Sequence, residues 1–262
     1  MHRKLLLATA MIVTMLIAAP LVQAITFGQP DGDEHPNVGA MIVQLDGDYY
    51  LFCSGTLIAP DVFLTAAHCT AAAASYGADP HDVYVTFDPN AETGMLHRGT
   101  YYLNPAYGHD MHDANDVAVI ILDEAIPNTE IEPAELPPAG LLTDMKDNHQ
   151  LKGQQFVTVG YGTLRDDKTG GPAALDGSGV RYYAEQTFLA LKPFWLQISM
   201  NPSTGSGGTC YGDSGGPHFL AGTDMVVSLT VTGDAWCRAT DVTYRLDTDS
   251  ARSYLGQFVA LP

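Results

Sequence analysis

Basic side chains are scarce in this chain: 12 Lys and Arg stand against 30 Asp and Glu, for a formal net charge of −18. Such a surface repels phosphate backbones and anionic headgroups, which argues against nucleic acid and membrane partners. Long apolar runs are lacking after the first 24 residues, so no later segment is expected to span a bilayer. Cysteine is sparse as well. Cys53, Cys69, Cys210 and Cys237 suffice for two disulfides, with three pairings among which the residues alone do not choose. Most stability must then come from a hydrophobic core, which a chain of this size can build. Helical periodicity is nearly absent, and there is no internal repeat.

The one long apolar run opens the chain. His2, Arg3 and Lys4 supply a basic start, residues 5–19 an apolar core, and Val22-Gln23-Ala24 the compact residues of a cleavage site. An apolar core of about 15 residues ending at Pro20 is short for a span, which needs roughly 20. The segment reads as a secretory signal at residues 1–24. The mature chain is then expected to start at Ile25, to have 262 − 24 = 238 residues and a charge of −20, and to be soluble, secreted and extracellular.

Short apolar or β-branched runs recur at 40–45, 50–53, 62–66, 83–87, 116–122, 156–160, 180–188, 195–199, 225–231 and 242–246, with Gly, Pro, Asn and Asp between them. They read as strands of a sandwich or barrel. The proline-rich passage around Pro137-Pro138 divides them into two sets, about 25–137 and 138–262. Residues 249–258 carry apolar side chains at helical spacing behind Thr248 or Asp249 as cap, which predicts a terminal helix.

Three stretches carry chemistry. In "TAAHC", His68 follows a strand and directly precedes Cys69, so a disulfide could fix its loop. In "NDVAVIIL", Asp116 heads an apolar strand, where a carboxylate costs several kcal/mol unless it is paired. In "GTCYGDSGGPHF", Ser214 sits between Asp213 and two glycines, in a turn that few side chains obstruct. Serine becomes a useful nucleophile when a histidine takes its proton, a carboxylate orients that histidine, and backbone N–H groups receive the developing oxyanion.

With these motifs in the order histidine, aspartate, serine, the chain resembles secreted serine proteases of the chymotrypsin/trypsin family over essentially its whole mature length. The resemblance implies an all-β fold of two six-stranded antiparallel Greek-key barrels with the active site between them, and serine endopeptidase activity through an acyl-enzyme. By the same resemblance His68 is the general base, Asp116 orients it, Ser214 attacks, and the N–H groups of Gly212 and Ser214 form the oxyanion hole. It also supports pairing Cys53 with Cys69 and Cys210 with Cys237. An inactive homologue acting as a binding module, or an esterase with the same triad, are the alternatives. The expected partners are protein or peptide substrates and protein inhibitors, with the protein itself a monomer.

For the specificity pocket the resemblance points to Gly208 at the base and to Ser228-Leu229-Thr230 as the strand that pairs the substrate. Gly208 carries no carboxylate, and a β-branched Thr230 would narrow the pocket, so an apolar residue before the scissile bond is expected. A basic preference would require Asp234 or Asp241 to enter the pocket from another direction. Ile25-Thr26-Phe27-Gly28 resembles the family's activated amino terminus, with Asp213 as partner of its ammonium, so one signal-peptidase cut would both export and activate the enzyme. No cofactor or metal is expected: His109, Met111, His112 and Asp113 read as a polar loop, and His35, His81, His97, His149 and His218 as surface or turn residues.

Overall fold

The structure, a computed structural model, describes residues 25–110, 112–164 and 179–262. The signal expected at 1–24 therefore lies outside the described residues. Strands β2 (Val38–Leu45), β3 (Asp48–Ala59), β4 (Val62–Thr65), β5 (Val83–Thr86), β6 (His97–Tyr102) and β7 (Ala118–Leu122) close into a barrel in the order β2-β3-β4-β7-β6-β5. Its wall is tight. A side chain at Gly55 would put its Cβ 2.3 Å from the Leu64 carbonyl oxygen and against the Phe63 ring, so β3 and β4 approach this closely only over a glycine.

A second barrel comprises β8 (Gln155–Gly160), β9 (Tyr182–Leu191), β10 (Trp195–Ser199), β11 (Pro217–Leu220), β12 (Val226–Gly233) and β13 (Thr240–Arg245). The order β9-β10-β13-β12-β11-β8 is closed by β8 pairing back onto β9, and a two-residue strand β1 (Gln29–Pro30) adds to β9 outside the ring. Every ladder between named strands is antiparallel. The chain has two six-stranded antiparallel barrels, as its resemblance implied.

Among the described residues three α-helices accompany them: α1 (Ala67–Ser75), α2 (Leu141–Asp147) and α3 (Asp249–Leu255). The last is the expected terminal helix, and Thr248 is its cap, accepting from the Ala251 N–H. It packs back on the first barrel, where the Tyr254 hydroxyl donates to the Tyr102 carbonyl and Phe258 meets the Tyr102 ring. One hydrophobic core runs through both barrels, joining Val38, Phe63 and Val119 to Tyr161, Leu229 and Tyr244. The cleft between the barrels is thus framed by packed walls.

Candidate active site

His68 is the second residue of α1, immediately after β4, and Cys69 beside it is bonded to Cys53 on β3. The disulfide ties the start of the helix to the barrel wall. Asp116 holds the histidine at two points: Oδ1 accepts the His68 backbone N–H at 2.8 Å and Oδ2 meets ring Nδ1 at 2.9 Å. Asp116 is 2% exposed, whereas the His68 side chain is 28% exposed. A carboxylate only accepts, so Nδ1 carries the proton of the neutral ring and Nε2 is left with a free lone pair. Asn115, at φ +51°, makes the sharp turn that aims Asp116, and Asp113 braces it by accepting from the Asn115 N–H.

The turn bearing Ser214 is fastened to the same wall. Its carbonyl accepts from the Ser54 N–H at 2.9 Å, next to Cys53, and lies 3.8 Å from Cys69 Sγ. The histidine and serine segments therefore meet at the disulfide. The Ser54 hydroxyl donates to the Gly212 carbonyl, and Gly212 is at φ +97°, a conformation that favours glycine. Among the described residues the N–H groups of Gly212 and Ser214 have no acceptor.

Asp213 is completely buried. Its oxygens accept from the N–H groups of Gly162 and Cys210, both at 2.8 Å. Burial pushes the carboxyl up to about 7, against the pull of those two hydrogen bonds, and nearby Asp241 adds to the rise. Gly160 and Gly162 make room for it, since a Cβ at either would collide with its side chain. Ile25 is buried too, against Leu164, Tyr182 and Ala184, while Thr26 bridges to Gly208. Residues 162–164 thus touch both ends of the expected ion pair, Gly162 at Asp213 and Leu164 at Ile25.

A cavity of about 270 Å³ opens beside Ser214, lined by Thr209, Cys210, Tyr211, Thr230 and the run Val231 to Asp234, with Ala235 and Cys237. The Cys210–Cys237 disulfide joins two of its walls. Of the expected pocket residues, only Thr230 lines this cavity. Ser228 and Leu229 are fully buried, because the register of β12 shifts between Thr230 and Thr232 and the strand turns its accessible face outward only after that bulge. The strand bordering the pocket is Val231-Thr232-Gly233, of which Thr232 and Gly233 are exposed. Gly208 donates to the Thr26 carbonyl, and Met200 occupies the space a side chain there would need.

His218, expected at the surface, is instead completely buried on β11, where the strand ladder packs it against Thr230. Asp113 is also buried and accepts from the Tyr244 hydroxyl at 2.7 Å. His109 and His112 are exposed, as a polar loop requires, and Met111 lies outside the described residues. Among the described residues, the grouping with metal-like spacing is Cys53, His68 and Cys69, but its two sulfurs are bonded to each other and offer no thiolate.

The Trypsin family matches residues 31–248, and the chain belongs to that family. Trypsin of Saccharopolyspora erythraea is 28% identical over 215 residues, covering 78% of this chain and 84% of that one. Human kallikrein-4 is 27% identical, covering 71% and 69%, and bovine proproteinase E is also 27% identical, covering 66% and 67%. Among solved structures, HL collagenase superposes with a TM-score of 0.65 at 19% identity, covering 89% of this chain and 97% of that one. Mouse neuropsin, a serine protease, superposes at 0.62 and 18%, covering 89% and 99%. The protein is a trypsin-like serine endopeptidase, a hydrolase acting on protein or peptide substrates.

Proposed function

We propose that Ser214 attacks the scissile carbonyl, that His68 takes its proton and returns it to the leaving amine, and that Asp116 orients and steadies the imidazole. The observation that carries this reading is the two-point grip of Asp116 on His68 beside the turn that bears Ser214. The N–H groups of Gly212 and Ser214, which have no acceptor among the described residues, receive the oxyanion. Asp213 supports a further step. A buried carboxyl pushed up to about 7 favours a cation beside it, and the ammonium released by cutting between Ala24 and Ile25 supplies one. Signal-peptidase cleavage then exports and activates the enzyme together.

The test uses the chain beginning at Ile25, a peptide amide and the matching ester. Turnover of the amide that vanishes in Ser214→Ala supports an endopeptidase. Turnover of the ester alone would make the protein an esterase, and turnover of neither an inactive homologue. Amino-terminal sequencing of the secreted, active protein should begin at Ile25; full activity from any other start would refute the activation step.

A further inference from the structure

Ser54, the residue after Cys53 on β3, is completely buried and is held at each of its polar groups. Its backbone N–H donates to the Ser214 carbonyl at 2.9 Å, and its own carbonyl accepts from the Thr65 hydroxyl at 2.9 Å. Its hydroxyl donates to the Gly212 carbonyl at 3.0 Å. A fourth bond reaches it from the second barrel, where the N–H of Tyr161, just past β8, donates to Oγ at 3.0 Å. A Cβ at Gly160 would lie 3.1 Å from that oxygen and one at Gly216 3.3 Å from Ser54 Cβ, so the side chain is packed closely against two glycine backbones.

The two carbonyls that Ser54 holds belong to Gly212 and Ser214, the residues whose own N–H groups are the proposed oxyanion donors. Gly212, at φ +97°, has no side chain to resist rotation, so its place depends on contacts from outside its turn. The hydroxyl supplies one with a fixed direction. It has a single proton, and because the Tyr161 N–H already donates to Oγ, that proton is left for the Gly212 carbonyl. Cys53, one residue earlier, is bonded to Cys69 beside His68. The base and the oxyanion donors therefore take their spacing from consecutive residues of one strand.

We infer that the Ser54 hydroxyl is a positioning group of the oxyanion hole: it ties the Gly212 turn to β3 and so sets the donors against the carbon that Ser214 attacks. The inference rests on the protease reading.

The experiment compares the chain beginning at Ile25 with its Ser54→Ala variant on one peptide amide. It also measures inhibition of both by a peptide aldehyde, which forms an oxyanion on adding to Ser214, and by the matching alcohol, which forms none. Ser54→Ala is expected to lower kcat by about 10- to 100-fold with KM unchanged, since a displacement of about 1 Å suffices for a loss of that size. Binding of the aldehyde should weaken by a similar factor while the alcohol binds as before. An unchanged kcat, or equal losses against aldehyde and alcohol, would mean that the hydroxyl supports only the fold and would overturn the inference, leaving the protease reading intact. If Ser54→Ala does not fold, Thr65→Val takes its place, because it keeps the side-chain shape and removes the hydroxyl that holds the Ser54 carbonyl. The same selective loss against the aldehyde then supports the inference, and equal or no loss overturns it. Absence of turnover by the unsubstituted chain, with no labelling of Ser214 by an active-serine phosphonate, would instead remove the protease reading itself.

Discussion

His68 depends on Asp116 for both its backbone position and its ring tautomer, and Ser214 depends on a turn fastened to the same wall, so the three should act as a unit. Ser214→Ala or His68→Ala is expected to lower kcat by roughly four to six orders of magnitude, with the double variant no worse than either single. Multiplicative losses in the double variant would contradict this. At Asp213 the prediction concerns pH. Its folded value of about 7 lies above the ordinary 3.8, so the folded state of a chain still carrying Ala24 holds a proton that the unfolded state gives up. Stability of that chain, measured by urea titration in the Ser214→Ala background, should fall as pH rises from about 4 to about 7. In the chain beginning at Ile25 the ammonium should abolish or reverse that slope; identical profiles would count against the ion pair. At this scale the pairing of His68 with Asp116 was legible because each sits in a contiguous motif. The burial of His218 was not, since it follows from the pairing of β11 with β12, which no local motif marks.

Among the elements, the connection of β1 to β9 is secured by charge. Arg181, just before β9, is fully buried and pairs with Asp31 at 2.7 Å. Its remaining donors reach the carbonyls of Gly32, Val38 and Phe87, which joins the amino-terminal segment to both barrels. Burial alone would raise Asp31, but His35 and Arg181 together hold it below its ordinary value. Its contribution is therefore present above 3.8 and lost as pH falls. Arg181→Met should cost about 3–5 kcal/mol in urea unfolding, because it leaves the buried Asp31 carboxylate with His35 but without its guanidinium, and adding Asp31→Ala should restore part of it. A loss under about 1 kcal/mol would place the pair among ornamental contacts. Apolar strands such as β2, β4 and β7 were legible from composition. β6 was not, because "HRGTYY" has no apolar run, and β11 was not, because "PHFL" is four residues long and opens on proline. α1 was hidden for a different reason: it begins inside the "TAAHC" motif, where the strand signal of β4 dominates.

At the scale of the whole molecule, the division near Pro138 marks a change of barrel in sequence, and the second half has a smaller cluster of its own around Leu142, Phe156, Leu196 and Val227, but the larger core is shared by both barrels. Glu135 already bridges to Met225, and Gly140 donates to the Asp247 carbonyl. With one hydrophobic core through both barrels, the mature protein should unfold in a single transition, with near-ultraviolet and far-ultraviolet circular dichroism coinciding. Two separated transitions would mean that the barrels hold together less tightly than their shared core implies. The central claim is that this fold brings His68, Asp116 and Ser214 together as a working nucleophilic site. It is tested most directly by treating the chain beginning at Ile25 with an active-serine phosphonate and locating the adduct by peptide mass. The account predicts one adduct, on Ser214, that is lost in His68→Ala; no adduct, or an adduct on another residue, would contradict it.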